Sequence, residues 1–157
     1  MDTNREAIRI VNDEWVERCT HWEYSAAAAP GLREIPIRVF PASLHQSGKT
    51  RIIPLDLSGH LQTAYLATSP SLLASYVRVC KNESIETTAN CSSEIFYVMT
   101  GAGRTETEFG TVVWKQGDTF SLPVNRGARH FADEESTLTW GHDGPIFDYM
   151  GATASKK

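Results

Sequence analysis

The stretch Glu94-Ile-Phe-Tyr-Val-Met99, which runs on through Thr100 to Gly101, decides the fold of this 157-residue chain. As a strand it is apolar on both faces, with Phe96 and Val98 on one face and three further apolar side chains on the other. A strand with one face in water alternates apolar and polar residues, so both faces of this strand must be covered. We expect one face to line a barrel interior. An N-terminal helix or a second copy of the chain covers the other face, and the sequence leaves these alternatives open.

The same kind of sequence extends from residue 35 onward, on both sides of this stretch. Short runs rich in Val, Ile, Phe, Tyr and Thr are separated there by Gly, Pro, Asn and Ser. This pattern is typical of strands and turns. It predicts strands near residues 36–40, 50–54, 73–80, 94–100, 103–109, 111–115, 119–122, 128–133 and 136–142. So many short antiparallel strands predict an all-β sandwich or small barrel, which closes or covers its sheet edges. Gly101 and Gly103 are interpreted as turn glycines.

Upstream, the sequence predicts one helix over residues 4–18, followed by an irregular connector. The apolar residues recur with the spacing of a single helical face: Ile8, Val11, Trp15 and Cys19. We therefore divide the chain into an N-terminal helix and connector (1–34), a β domain (35–150) and a tail (151–157).

Composition excludes several classes of protein. The 15 basic and 19 acidic residues give a net charge of −4 and are scattered, so no cationic stripe is present to bind nucleic acid. The apolar runs fall far short of the roughly 18 residues of a membrane span, and the N-terminus does not resemble a signal peptide. Three cysteines without CxxC spacing argue against a disulfide framework. We expect a cytoplasmic protein that binds neither nucleic acid nor membranes.

The segment from Ser71 to Tyr149 resembles the cupin family, small jelly-roll barrels whose members carry two conserved blocks around a metal site. The first block usually has two histidines one residue apart, a glutamate, and a strand ending in glycine; residues 94–103 match its latter half. The second block is glycine, five residues, proline and a nearby histidine. Residues 117–123 followed by His130 match it, with a slightly longer gap before the histidine.

Further segments resemble one half of the two-cupin proteins related to gentisate dioxygenase, namely residues 54–57, 67–76 and 138–143. The resemblance implies an all-β, cupin-type jelly-roll barrel with a short N-terminal helical extension. The chain corresponds to a single cupin unit, and it ends about where a second unit would otherwise begin. A fragment of a longer two-cupin protein fits this pattern as well.

The resemblance also implies a metal held by three imidazoles and one carboxylate, a set that suits iron, manganese, nickel or zinc. Counting back from Glu94 places Thr88 and Asn90 where the family has its two histidines, so that Glu94 and His130 remain of the usual four ligands. Losing two imidazoles removes much of a binding free energy on the order of 10 kcal/mol. We predict no cofactor; an ion, if present, would be Fe, Mn or Ni held through Glu94 and His130.

Cys91 is an alternative source of a ligand, because a thiolate binds transition metals. Strand alternation argues against it: if Thr88 and Asn90 point into the barrel, Cys91 points out, unless a bulge re-aims it. We favour the interpretation of Cys91 as a small buried hydrophobic residue.

Glu94 and His130 are the predicted catalytic residues. An unpaired carboxyl in an apolar wall has a raised pKa, and an imidazole exchanges protons near neutral pH. Together they provide for isomerisation, elimination or cyclisation without a metal. The alternative is that Glu94 and His130 hydrogen-bond each other as the remnant of a lost metal site.

Six further residues are predicted to bind substrate: Thr88, Asn90, Arg78, Tyr76, Phe96 and Trp140. Arg78 has the geometry to clamp a carboxylate, but a solvated arginine on the outer face explains the sequence equally well. Aromatic residues on strands belong to the core more often than to a ligand site. His142 follows the matched blocks, and no catalytic role is expected for it.

The sequence therefore predicts a small-molecule enzyme that uses the barrel cavity for acid–base chemistry on a small organic acid or another metabolite. Two alternatives stay open: a non-catalytic cupin that binds a ligand or stabilises an assembly, and a metal-dependent dioxygenase with an atypical site. We expect a homodimer whose other partner is a small molecule.

Overall fold

The computed structural model describes residues 36–123 and 127–155, all within one compact unit, Ile35–Lys157. Nine strands form most of the regular secondary structure of the described residues, so the all-β prediction is confirmed. The strands are β1 (Arg51–Pro54), β2 (Leu73–Val79), β3 (Ser84–Thr87), β4 (Ser93–Thr100), β5 (Ala102–Thr107), β6 (Gly110–Lys115), β7 (Thr119–Pro123), β8 (Ala128–Ala132) and β9 (Ser136–His142). The helices are α1 (Ser43–Gln46), α2 (Ser58–Leu61) and α3 (Gly144–Met150). The helix predicted over residues 4–18 lies outside the described residues.

The strands form two antiparallel sheets. One has the order β1-β2-β9-β4-β7, and the other has the order β3-β8-β5-β6. A single hydrophobic core contains side chains from both, including Val77, Phe96 and Leu138 from the first sheet and Trp114 and Ala132 from the second. Because the inward residues of both sheets pack together, the two sheets face each other across this core.

The deciding strand, β4, is covered on one face by the described residues. Phe96 and Val98 are fully buried, whereas Ile95 and Tyr97 remain 54% and 47% exposed. Neither of the two expected covers for the outer face, the N-terminal helix or a second copy, is among the described residues. The prediction that something covers this face therefore stays a prediction.

The prediction of a strand at residues 36–40 is wrong. This segment has no regular secondary structure, and Ile37 and Val39 are 98% and 84% exposed. Apolar alternation predicts a strand only where another strand pairs with it, and prolines bracket this segment at Pro36 and Pro41. The sequence patterns also missed β3 and the last helix, α3.

Gly101 and Gly103 have different roles. Gly101 turns the chain between β4 and β5 with φ at +86°, and a Cβ there would lie 2.7 Å from Ser136 Cα. Gly103 is not a turn residue but lies buried within β5. A Cβ on it would come 2.0 Å from the Phe131 carbonyl oxygen and 2.7 Å from the Trp114 ring. Gly103 therefore lets the Trp114 side chain pack flat against β5.

Candidate functional site

His130 lies on β8, fully buried, among neutral hydrogen-bonding groups. Thr105 Oγ1 is 2.8 Å from its Nδ1, and Thr87 Oγ1 is 2.9 Å from its Nε2. Trp114 Nε1 donates to Thr105 Oγ1 over 2.9 Å. Burial lowers the pKa of His130 to about 4, so the ring is neutral at pH 7. Hydroxyls both donate and accept, and they therefore satisfy a neutral imidazole. We call these four residues the His130 cluster.

Glu94 is also buried, on the inner face of β4, where Trp140 Nε1 donates to its Oε2 over 2.8 Å. It lies on the five-stranded sheet, whereas His130 lies on the other sheet, with the Phe96 ring 4.9 Å from the imidazole. Both predicted catalytic residues are thus interior. The two ring nitrogens of His130, however, are hydrogen-bonded to threonines rather than to Glu94.

In the segment before β4, the buried residues are not those that the sequence predicted to point inward. β3 ends at Thr87, which is fully buried, and residues 88–92 are irregular. Thr88 and Asn90 are exposed, whereas Cys91 is only 3% exposed. The expected alternation is therefore wrong, because it assumed a continuous strand through this segment. Burial, helped by nearby carboxylates, raises the pKa of Cys91 to about 12, so its thiol stays protonated.

Asn90 is held by the C-terminal tail. Its Nδ2 donates to the Ala152 carbonyl oxygen over 2.8 Å, and its Oδ1 accepts from the Ala154 N–H over 2.9 Å. The side-chain amide therefore pairs with the tail backbone much as a neighbouring strand would. Both of its polar ends are used in this way.

Arg78 and Tyr76 lie on the outer face of β2, away from the barrel interior. Arg78 donates to the carbonyl oxygens of Gly48 (2.8 Å) and His45 (3.2 Å), and it forms an ion pair with Glu135. The Tyr76 ring packs against the His45 ring at 4.5 Å. These contacts anchor α1 and the loop after it to the sheet, and they place neither residue beside Glu94 or His130.

The two predicted aromatic residues occupy different environments. Phe96 is fully buried and stacks on Phe120 and Trp140, with ring centroids 5.0 and 6.1 Å away. Phe96 is therefore a core residue. Trp140 also belongs to the core, but it lines a cavity as well.

That cavity opens at the end of the barrel where β2 begins and β9 ends, and it has a volume of about 340 Å³. We call it the mouth cavity. Residues from β1, β2, β9, the segment before β4 and α3 line it: Ile52, Pro54, Leu66, Leu73, Ser75, Thr88, Ala89, Asn90, Trp140, His142, Gly144, Pro145 and Asp148. Three of the predicted substrate-binding residues, Thr88, Asn90 and Trp140, are therefore brought together here.

Two of the lining residues have polar atoms to which no described residue bonds, and sequence reasoning missed both. Ser75 is 1% exposed, and its Oγ has no hydrogen-bond partner among these residues. His142 accepts a hydrogen bond from Gly144 N–H at Nδ1 over 3.1 Å, and within the described ranges no group bonds to its Nε2. Strand alternation on β2 places Ser75 inward opposite Tyr76. This alternation could have identified Ser75 from the sequence. For His142 the sequence offered only its position at the end of β9.

His142 lies directly across from Glu94 in the β4–β9 ladder. Directly opposed side chains on one sheet face have Cβ atoms about 4.5–5.5 Å apart. Burial lowers the pKa of His142, although the nearby carboxylates of Asp143 and Asp148 act to raise it. The structure therefore pairs Glu94 with His142, where the sequence had paired it with His130.

The donor groups do not fit the metal that the cupin resemblance implies. Across residues 36–123 and 127–155, no three His, Cys, Asp or Glu side chains are placed to share an ion. Thr87 takes the inward position on β3, and both His130 nitrogens are bonded to hydroxyls. Because histidine binds a metal through one nitrogen, an ion at Glu94 and His130 would have to break one of these two hydrogen bonds and would gain only two ligands.

No protein-family model and no curated protein matches this sequence. Among solved structures, the chain resembles salicylate 1,2-dioxygenase from Pseudaminobacter salicylatoxidans, with 20% sequence identity and a TM-score of 0.56. The match covers 71% of this chain and 31% of the dioxygenase chain. A variant of that enzyme in complex with gentisate gives a TM-score of 0.57 at 20% identity, over 71% of this chain and 30% of that one.

The aligned part thus spans less than a third of the dioxygenase chain. The similarity confirms that the fold is a cupin jelly roll that resembles one unit of the gentisate-dioxygenase-like proteins.

As for membranes, no helix in the described part of the chain has both the length and the apolar character needed to cross one.

Proposed function

We propose that this cupin binds a small molecule in the mouth cavity and catalyses proton transfer on it. The observation that carries the proposal is that Ser75 Oγ, the His142 ring and Trp140 line one largely apolar cavity. Its volume lies near the lower end of the roughly 300–1,000 Å³ typical of ligand pockets. The ligand is therefore small, and it meets few but well-placed polar groups.

His142 acts as the hydrogen donor in this proposal. Its lowered pKa keeps the ring neutral at pH 7, and Gly144 N–H occupies Nδ1, so the ring hydrogen lies on Nε2. Nε2–H then donates to a ligand oxygen and polarises it. When this oxygen is a carbonyl oxygen, a neutral imidazole in this role makes the C–H bonds of the carbon next to the carbonyl group more acidic.

Glu94 acts as the base. Trp140 Nε1 holds its Oε2, and the Glu94 side chain shares a sheet face with His142. The carboxylate takes a proton from the α carbon, next to the polarised carbonyl group, and returns it to another atom of the same ligand. Such a step is an isomerisation; departure of a neighbouring group instead gives an elimination. Neither step changes the oxidation state of the protein.

A non-catalytic ligand-binding cupin is the second candidate. The His130 cluster favours it, because His130, one of the two expected catalytic residues, is committed to hydrogen bonds inside the core. In this case Ser75 and His142 would hold a ligand, and Glu94 would serve only to position Trp140. A homodimer and a cytoplasmic location remain predictions from the sequence under either candidate.

Hydrogen–deuterium exchange on a small ketone separates the two candidates. Cyclohexanone is incubated with the protein in D₂O, and loss of its α-hydrogen signal is followed by NMR. We expect the wild type to accelerate exchange, Glu94→Gln to abolish it, and His142→Asn to slow it by about 100-fold or more. His60→Asn, an exposed histidine on α2, is the matched control and should exchange like the wild type.

Binding of cyclohexanone without accelerated exchange would overturn the catalytic proposal and leave the binding candidate. Exchange that survives Glu94→Gln would also overturn it, since the base would then be another group.

A further inference from the structure

The mouth cavity offers little to stabilise a charged ligand. Its walls are mainly apolar, with aliphatic and aromatic side chains from Ile52, Leu73 and Trp140 and with Pro145 of α3. A charge that enters such a wall loses hydration free energy unless an opposite charge meets it. The charges next to the cavity therefore decide which ligands it accepts.

The nearest charges are negative. Asp148 lines the cavity, and Asp143 follows His142 directly. Although burial acts to raise it, hydrogen bonds from Ser92 keep the pKa of Asp143 below its usual range, so this carboxylate is ionised at pH 7. Both aspartates act electrostatically on the His142 ring. An anionic ligand beside His142 would be repelled by both.

No compensating cation lines the cavity among the described residues. Arg78, the predicted carboxylate clamp, lies on the outer face of β2, where carbonyl oxygens and Glu135 take its donors. The lysines and arginines described elsewhere in the structure are also absent from the cavity wall. Among the described residues, the wall thus has no cation to pair with the carboxylate of an organic acid.

The available polar groups suit a neutral ligand. Ser75 Oγ is buried, no described residue bonds to it, and a buried hydroxyl without a partner is unfavourable. A ligand hydroxyl or carbonyl that bonds to Ser75 removes this penalty. His142 Nε2–H supplies a second neutral donor on the same cavity.

We infer that the mouth cavity selects uncharged molecules that carry a hydroxyl or carbonyl oxygen, and that it disfavours organic acids. This inference rests on the proposed function, because it assigns a ligand class to the same cavity. It replaces the organic acid expected from the sequence with a neutral compound of similar size.

A matched pair of probes tests the charge. Gentisate (2,5-dihydroxybenzoate) and 2,5-dihydroxybenzamide have nearly the same shape and differ in charge at pH 7. Binding is measured by NMR from the indole Nε1–H signal of Trp140 and the ring signals of His142. We expect the amide to bind at least about ten-fold more tightly than gentisate. Ser75→Ala should weaken amide binding by about three- to ten-fold.

The second part of the experiment removes the negative charge of Asp148 from the cavity wall. Asp148→Asn should tighten gentisate binding and leave amide binding nearly unchanged. The ratio of the two dissociation constants should therefore fall. Asp133→Asn makes the same change of charge at an exposed position outside the cavity wall, and it should leave the preference intact.

Gentisate binding as tight as the amide, at the same signals, would overturn the inferred selectivity and leave the proposed function standing. If neither probe shifts Trp140 or His142 in a folded protein, the mouth cavity is not the ligand site, and both proposals fall. Amide binding without catalysed exchange on cyclohexanone would support the selectivity and overturn only the catalytic step.

Discussion

At the scale of single residues, His130 links burial to the pH dependence of stability. Its pKa falls from 6.5 to about 4 on folding, so the unfolded chain binds a proton that the native protein does not. The stabilisation is fully present above pH 6.5 and is lost as the pH falls toward 4. Between pH 7.5 and pH 5 we expect His130 to account for a loss of about 2 kcal/mol in the free energy of unfolding.

The measurement is urea unfolding of the wild type, His130→Asn and the control His60→Asn at both pH values. His130→Asn should be less stable at pH 7.5 but should lose about 2 kcal/mol less than the wild type on acidification. His60→Asn should follow the wild type. An equal pH dependence in His130→Asn and wild type would show that His130 is not held neutral by burial.

The Thr105 hydroxyl serves two buried partners in the His130 cluster. Thr105→Val keeps the shape of the side chain but leaves Trp114 Nε1 and His130 Nδ1 without their hydrogen bonds. We expect a loss of about 2–5 kcal/mol in the free energy of unfolding. Thr107→Val is the control on the same strand, because its hydroxyl makes exposed hydrogen bonds, and it should cost under about 1 kcal/mol. Equal costs for the two variants would contradict this account.

At the scale of elements, Asn90 fastens the tail after α3 to the segment before β4. Asn90→Ala removes both side-chain hydrogen bonds to the tail backbone. We expect the Ala154 amide to exchange its hydrogen about ten-fold faster, with a loss of about 1 kcal/mol in stability. Thr88→Ala, at a nearby exposed position, should leave this exchange rate unchanged. Unchanged exchange at Ala154 in Asn90→Ala would mean that other contacts hold the tail.

The sequence predicted the strands well wherever apolar alternation coincided with strand pairing. Eight of the nine predicted strands correspond to β1, β2 and β4–β9. The failure at residues 36–40 and the omission of β3 have one cause, since partners in a sheet are set by tertiary structure rather than by local pattern. Ser84–Thr87 contains a single large apolar residue, Ile85, too few to reveal a strand.

The candidate site was harder to predict because it depends on register. Spacing correctly placed Glu94 and His130 in the interior. It did not reveal that β3 ends at Thr87, so that Thr88 and Asn90 lie exposed at the mouth cavity. Thr105 is fully buried and contacts His130, and the sequence patterns did not identify it as a partner of that histidine. Position along the chain therefore identified the interior residues without identifying their partners.

At the scale of the whole molecule, the buried polar groups of the barrel form two sets, one in its centre and one at its end. The centre holds the His130 cluster, in which every polar group meets a neutral partner and which therefore serves stability. The end holds the mouth cavity, where no described residue bonds to the buried Ser75 Oγ and where the His142 ring lies next to apolar walls. Buried polar atoms that remain without protein partners are the groups on which a ligand gains most.

A crystal structure of the protein with 2,5-dihydroxybenzamide tests the central claim most directly. The account predicts the ligand in the mouth cavity, with its oxygen atoms about 2.7–3.2 Å from Ser75 Oγ and His142 Nε2, and the His130 cluster unchanged. A metal ion held by Glu94 and His130, with the threonine hydrogen bonds broken and the ligand bound to that ion, would contradict it.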